Sequence, residues 1–136
     1  MTEDLAARIA RLEQRAEIED LVARYTLHAA AAEAELLAAL FTPDGIFHAH
    51  KGSAQGYEAL VAFFRESLFP GRTVPIAGPL HVEFQTADRA RLRCLMATTF
   101  YDGRQGGFCG HYDDELARVG GKWLFASRKY TFYHSA

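Results

Sequence analysis

Leu80–Phe100 reads LHVEFQTADRARLRCLMATTF, and its period decides the fold. Leu80, Val82 and Phe84 alternate with His81, Glu83 and Gln85. After Ala87-Asp88-Arg89 the alternation resumes at Leu92, Cys94, Met96, Thr98 and Phe100. Successive side chains of a strand point to opposite faces, so two strands with one apolar face are expected here. Arg89, Arg91 and Arg93 share the other side and read as a solvated face. Downstream, Asp102-Gly103 and Gly106-Gly107 bracket a further turn. Phe108–Val119 and Trp123–His134 are joined at Gly120-Gly121, a two-residue hairpin signal.

Upstream the period is helical. Thr2, with Glu3 and Asp4 behind it, reads as a capping hydroxyl followed by acids at the positive end of a helix dipole. Leu5, Ile9 and Leu12, then Ile18, Leu21, Val22, Tyr25, His28, Ala29 and Ala32, repeat at helical spacing. Glu33–Phe41 reads as a short second helix, stopped by a turn at Thr42-Pro43-Asp44-Gly45. Ile46–His50 reads as a strand, Gly52–Gly56 as a loop and Tyr57–Leu68 as a third helix. Residues 69–79 hold three of the four prolines and read as a loop, either a rigid cover or a moving lid. Helices first and long hairpins later make an α+β order.

The chain has 136 residues, the length of one domain spanning 1–136, and nothing resembling a linker divides it. Its formal charge of −2 gives no general pull toward nucleic acid. No apolar run approaches the ~18 residues a membrane span needs. Cys94 and Cys109 are expected to be small buried side chains in a reduced, cytoplasmic setting. A phosphate-cradling glycine loop, a G-x-S-x-G elbow and a C-x-x-C pair are absent from the sequence. His48 and His50 share one face of their expected strand, but a metal needs further ligands, so no metal or cofactor is expected.

Several segments together resemble the SnoaL-like family of the nuclear transport factor 2-like superfamily. They are Arg11-Leu12-Glu13 through Ile18, Leu21, Arg24 and Tyr25, then Leu37–Phe41 with Thr42-Pro43-Asp44-Gly45, then Gly56, Glu58, Leu60 and Phe63. His81, the Gly110-x-Tyr112-x-Asp114 run, Trp123 and Arg128 complete the pattern. The resemblance implies a cone-shaped, strongly curved antiparallel or mixed sheet, backed by about three helices and enclosing one pocket. It implies a homo-oligomer, with a dimer favoured. It also implies a choice between cofactor-free lyases, dehydratases and isomerases and members that only bind ligands or act as partner subunits. The dehydratase-like members carry an acid five residues after the position of Tyr25; here Ala30 stands in its place.

The candidate chemistry follows from residue types. His81 can take a proton and return it elsewhere near neutral pH. Tyr25 can donate a hydrogen bond to a developing oxyanion, and His28, three residues on, can join it or serve the helix end. Arg128 can bind an acidic substituent, or form an ion pair with Asp114 or Glu115. Phe63, Phe100 and Tyr130 offer surface for a planar ligand, and Asp114 can supply the acid missing at Ala30. The expected function is acid–base chemistry on a small, mostly apolar aromatic or polycyclic molecule. The alternative is a non-catalytic binding module or partner subunit.

Overall fold

The computed structural model describes residues 4–68, 73–100 and 106–133. Helix α1 (Leu5–Ala30) starts at Asp4, whose Oδ1 accepts the Ala7 amide at 2.7 Å. The expected cap, Thr2, lies outside the described residues; the aspartate two places on satisfies an otherwise orphaned donor. The fully buried residues of α1 lie in its second half. Ile18, Leu21, Val22 and Tyr25 are buried, while Leu5 is 70% exposed and Ile9 and Leu12 are also exposed. Ala32 then takes a left-handed φ of 56°, which reverses the chain into the short α2 (Ala34–Ala38).

The second helix is shorter than expected because Phe41 already belongs to β1 (Phe41–His48), paired with Phe125. The Thr42-Pro43-Asp44-Gly45 motif is therefore not a reversal between elements. It is an irregularity inside β1, where the register with β6 slips between Phe41 and Ile46. Thr42 Oγ1 donates to Asp44 Oδ1 at 3.0 Å. A Cβ on Gly45 would stand 2.8 Å from Phe41 Cβ and 2.9 Å from the Thr42 carbonyl, so the slip needs glycine. The expected loop at 52–56 holds a short strand, β2 (Ser53–Gln55), antiparallel to β1. Helix α3 (Tyr57–Ser67) follows as expected.

Strand β3 (Thr73–Thr86) is longer than its alternation suggested and takes in most of the expected 69–79 loop; residues 69–72 lie outside the described residues. It is the terminal strand of the sheet, where Pro75 and Pro79 can be tolerated because a proline there lacks only an outward donor. Strands β4 (Arg89–Phe100), β5 (Gly107–Val119) and β6 (Lys122–Phe132) complete a six-stranded curled sheet ordered β2-β1-β6-β5-β4-β3. Only β1 and β6 run parallel; the other pairs are antiparallel, so the sheet is mixed. Gly120 and Gly121, at φ 59° and 79°, form the tight β5–β6 turn that their sequence demands. The Asp102-Gly103 turn and His134 fall outside the described residues.

The two faces differ sharply. On β4, Ala90, Leu92, Cys94, Met96 and Thr98 are buried, and Arg91 and Arg93 face outward to Glu115 and Asp113 at 3.0 and 2.7 Å. The inner face packs on α1 and α3. Trp123 Nε1 donates to Gln14 Oε1, which ties β6 to α1. Cys94 is buried as expected; Cys109 instead is exposed, because it alternates with inward Gly110. No helix among the described residues is long and apolar enough to cross a membrane. Leu92→Ala should lower stability by about 2–5 kcal/mol. Leu95→Ala on the outer face, where Leu95 is 58% exposed, should change it by under about 0.5 kcal/mol. Urea denaturation of the two variants checks this; equal losses would mean that the faces are misassigned.

Candidate functional site

A cavity of about 440 Å³ lies between α1, α3 and the inner face of the sheet. Helix α1 contributes Tyr25 and Ala29, and α3 contributes Phe63, Phe64 and Ser67. The sheet adds Phe47, Pro75, Met96, Thr98, Phe100, Phe108, Tyr112 and Tyr130. Its inward positions follow from alternation: Met96, Thr98 and Phe100 are every second residue of β4, and Tyr112 and Tyr130 face each other across β5 and β6. The rings form a continuous wall. Tyr25 lies 6.1–6.4 Å from Tyr112, Phe41 and Phe64, and Phe47 lies 5.5 Å from Phe63.

Hydroxyl groups supply the polarity of this wall. Burial pushes Tyr25 well above the ordinary tyrosine value, and Tyr112 adds to the rise. Burial raises Tyr112 too, and pushes Tyr130 up to about 12. All three therefore stay protonated at neutral pH and act as donors. The Tyr130 hydroxyl is buried and has no partner among the described residues. Such a group costs free energy until something accepts from it.

Behind the wall lies a buried ion pair. Asp114 and Arg128 are direct neighbours across β5 and β6, 3.6 Å apart, and 3% and 1% exposed. They attract without a hydrogen bond: both Asp114 oxygens and Arg128 Nε and Nη1 lack partners. Arg128 instead spreads over rings, with its guanidinium carbon 3.5 Å from the Tyr112 centroid and 4.3 Å from that of Tyr25. Burial pushes the Asp114 carboxyl up to about 7; Arg128 opposes the shift, and Asp113 and Glu115 add to it.

The structure divides the sequence candidates into three groups. Tyr25, Phe63, Phe100 and Tyr130 meet in one cavity. Arg128 and Asp114 stand behind it and pair with each other, which is one of the two arrangements expected for Arg128. His81 and His28 are elsewhere. His81 alternates with the inward Leu80 and Val82, pairs across the sheet with Arg93, and faces an outer recess of about 530 Å³ with His48, Asp113 and Lys129. That recess is larger than the cavity, and the Arg91–Glu115 and Arg93–Asp113 ion pairs hold part of its charge. His28 turns away from Tyr25 and pairs with Glu33 at 3.2 Å near the helix end. His48 ends β1, so His50 does not share a strand face with it; His50 lies against Phe132 at 5.0 Å. His111 bridges Asp113 and Tyr133 on the outer face. Sequence reasoning overlooked Phe47, Met96, Thr98 and Phe108 as cavity residues, although the alternation of β4 contained the signal for Met96 and Thr98. Among the described residues, no group of three or more histidine, cysteine or acidic side chains could hold a metal ion.

One consequence concerns pH. An unfolded aspartate titrates near about 3.9. The folded state then binds the proton of Asp114 more tightly, so this residue favours folding below about pH 4, and that contribution is lost as pH rises to about 7. Asp114→Asn cannot ionise. Its stability relative to wild type should therefore climb between about pH 4 and 7 and level off above, by a few kcal/mol at most. Urea midpoints across that range test this; a flat difference would show that Asp114 is not perturbed.

Comparison with known proteins places the chain. The model of the SnoaL-like domain matches residues 10–129. An NTF2-like protein with a cystatin-like fold from Novosphingobium aromaticivorans is similar at 26% identity and a TM-score of 0.85, over 100% of this chain and 94% of that one. A putative scytalone dehydratase from the same species, strain DSM 12444, shares 24% identity with a TM-score of 0.81, over 93% and 88%. The hexachlorocyclohexane dehydrochlorinase LinA-type3 from Novosphingobium barchaimii LL02 shares 20% identity with a TM-score of 0.82, over 95% and 92%. No curated protein sequence matches the chain.

Proposed function

We propose, for a chain that belongs to the SnoaL-like domain family, that the aromatic cavity binds a small, mostly apolar aromatic or polycyclic molecule by an oxygen at one end. One observation carries this reading. Three protonated tyrosines, Tyr25, Tyr112 and Tyr130, line a cavity of about 440 Å³ whose other described walls are largely aromatic and aliphatic. Such a space rewards a flat apolar body, and its few polar groups fix orientation. The cavity has no imidazole or carboxylate among its described lining residues, so binding is the simpler role for it. His81 lines two hollows on the outer face and reaches no molecule held in the cavity.

A second reading, a cofactor-independent lyase, dehydratase or isomerase, is favoured by Asp114. Its carboxyl titrates near about 7 directly behind Tyr25 and Tyr112, and buried groups with such perturbed values cluster at sites of proton transfer. In that reading a tyrosine hydroxyl polarises the ligand oxygen, and Asp114 sets the electrostatics of the donor.

Thermal shift and product analysis over a panel of hydroxylated and keto aromatic and polycyclic compounds separate the readings. Tyr25→Phe should weaken binding about 5- to 30-fold, the worth of one buried hydrogen bond. Phe63→Ala should weaken it further by opening the wall, and His81→Ala should leave it unchanged. Recovery of the ligand intact supports a binding module. Consumption that slows in Asp114→Asn supports the enzyme. Equal affinity in wild type, Tyr25→Phe and Phe63→Ala would remove the cavity from consideration.

A further inference from the structure

On the outer face of β5, His111 stands between two partners. Its Nδ1 lies 2.6 Å from the Tyr133 hydroxyl, and its Nε2 lies 3.0 Å from Asp113 Oδ2. The other carboxylate oxygen, Oδ1, is 2.7 Å from Arg93 Nε. A carboxylate only accepts hydrogen bonds, so the neutral imidazole carries its proton on Nε2 and donates it to Asp113. Nδ1 is then the acceptor, and the tyrosine hydroxyl donates to it. A hydroxyl, a base and an acid that orients the base stand in series within hydrogen-bond reach, which is the geometry of an activated nucleophile.

Strand alternation builds this series. His111 and Asp113 are two residues apart on β5 and share a face. The Tyr133 amide donates to the Cys109 carbonyl at 2.8 Å, which extends the β5–β6 ladder past Phe132 and sets the Tyr133 ring 5.5 Å from the His111 ring. Arg93 on β4 and Lys129 on β6 lie directly across from Asp113, His81 on β3 lies across from Arg93, and Cys109 is an exposed thiol beside Tyr133. Tyr133 is 40% exposed, so water is available to its hydroxyl and burial does not force it onto the imidazole. Tyr57 is 48% exposed and bonds to no histidine among the described residues. Beside the series is a hollow of about 400 Å³, bordered by Pro79, His81, Arg93, Leu95, His111 and Tyr133. Pro79 and Leu95 offer it apolar surface. Arg93 and His81 bring to it the kind of N–H donors that an oxygen gaining charge needs.

We propose that Tyr133 is a nucleophile that takes the acyl group of small carboxylic esters, with His111 as its base and Asp113 as the positioning residue that holds the imidazole tautomer. The site lies on the opposite face of the sheet from the aromatic cavity and does not depend on it. In the first step the Tyr133 oxygen bonds to the ester carbonyl carbon while its proton passes to His111 Nδ1. The Asp113 carboxylate stabilises the imidazolium. The tetrahedral intermediate then collapses, the bond from carbon to the alcohol oxygen breaks, and the alcohol leaves with the proton from Nδ1. Acyl-Tyr133 and free alcohol result. Water, deprotonated by the same imidazole, hydrolyses the acyl-tyrosine and restores the phenol.

The test uses the whole chain and p-nitrophenyl acetate, following p-nitrophenolate release and locating the acetyl group by peptide mass mapping. A parallel series in Cys109→Ser removes the neighbouring thiol as a competing nucleophile. Tyr133 should be acetylated about tenfold or more faster than Tyr57, which has no base. His111→Gln should slow acetylation of Tyr133 about 100-fold, the worth of a general base. Asp113→Asn, whose amide can hold the opposite tautomer, should lower the saturating rate and leave the half-saturating ester concentration unchanged. Tyr133→Phe should abolish the p-nitrophenolate release that depends on His111. Equal rates at Tyr133 and Tyr57, or an unchanged Tyr133 rate in His111→Gln, would refute the nucleophile. An effect of Asp113→Asn confined to the half-saturating concentration would strike Asp113 from the series. Should a variant fail to fold, the ratio of Tyr133 to Tyr57 acetylation in the parent chain decides.

Discussion

A charge pair under aromatic rings holds the two layers of this protein in register. Arg128 and Asp114 sit side by side on β6 and β5, and the rings that cover them come from α1, β5 and β6. Taking two ions out of water costs several kcal/mol per ion, and removing either partner alone is expected to cost about 3–5 kcal/mol. The pair therefore adds little net stability compared with an apolar filling. It does demand that Tyr25, Tyr112 and Phe125 close over it, and this requirement fixes how the helix lies on the sheet. The position of the cavity follows, since Tyr25 and Tyr112 both cover the ions and line the cavity.

Much of this arrangement can be read from residue order. The alternation from Leu80 to Phe100 gives β4 and the second half of β3, and it assigns Arg91 and Arg93 to the outer face where they meet Glu115 and Asp113. The helical spacing of Ile18, Leu21, Val22 and Tyr25 gives the packed face of α1. Four proposed site residues, Tyr25, Phe63, Phe100 and Tyr130, converge although they come from α1, α3, β4 and β6. Aromatic residues on the inward face of an α+β sheet have few other places to go.

The misreadings have local signals and distant causes. Thr42-Pro43-Asp44-Gly45 carries every mark of a turn, but β1 must continue past it to meet β6 in parallel, a pairing between residues far apart in sequence. Pro75 and Pro79 suggest a loop, yet prolines suit an edge strand, and no window of sequence announces which strand is the edge. His81 lies outside the cavity for a reason that alternation contains. Its neighbours Leu80 and Val82 face the core, and the cavity is an extension of that core, so alternation itself sends the imidazole to the other side. Arg128 poses the opposite problem: a charged residue at an inward position makes physical sense only when Asp114 is seen directly across from it.

The terminal strand bears on behaviour in a crowded solution. A long unpaired edge is a template on which another chain can add a strand. Pro75 and Pro79 each remove an amide donor from β3, the register breaks between Ala77 and Leu80, and Arg15 from α1 occupies the Leu80 carbonyl at 3.2 Å. The edge is thus blunted along the same stretch that closes one side of the cavity. Drift in the residues of that strand that line the cavity can therefore reshape the hollow without turning the protein into a seed for cross-β assembly.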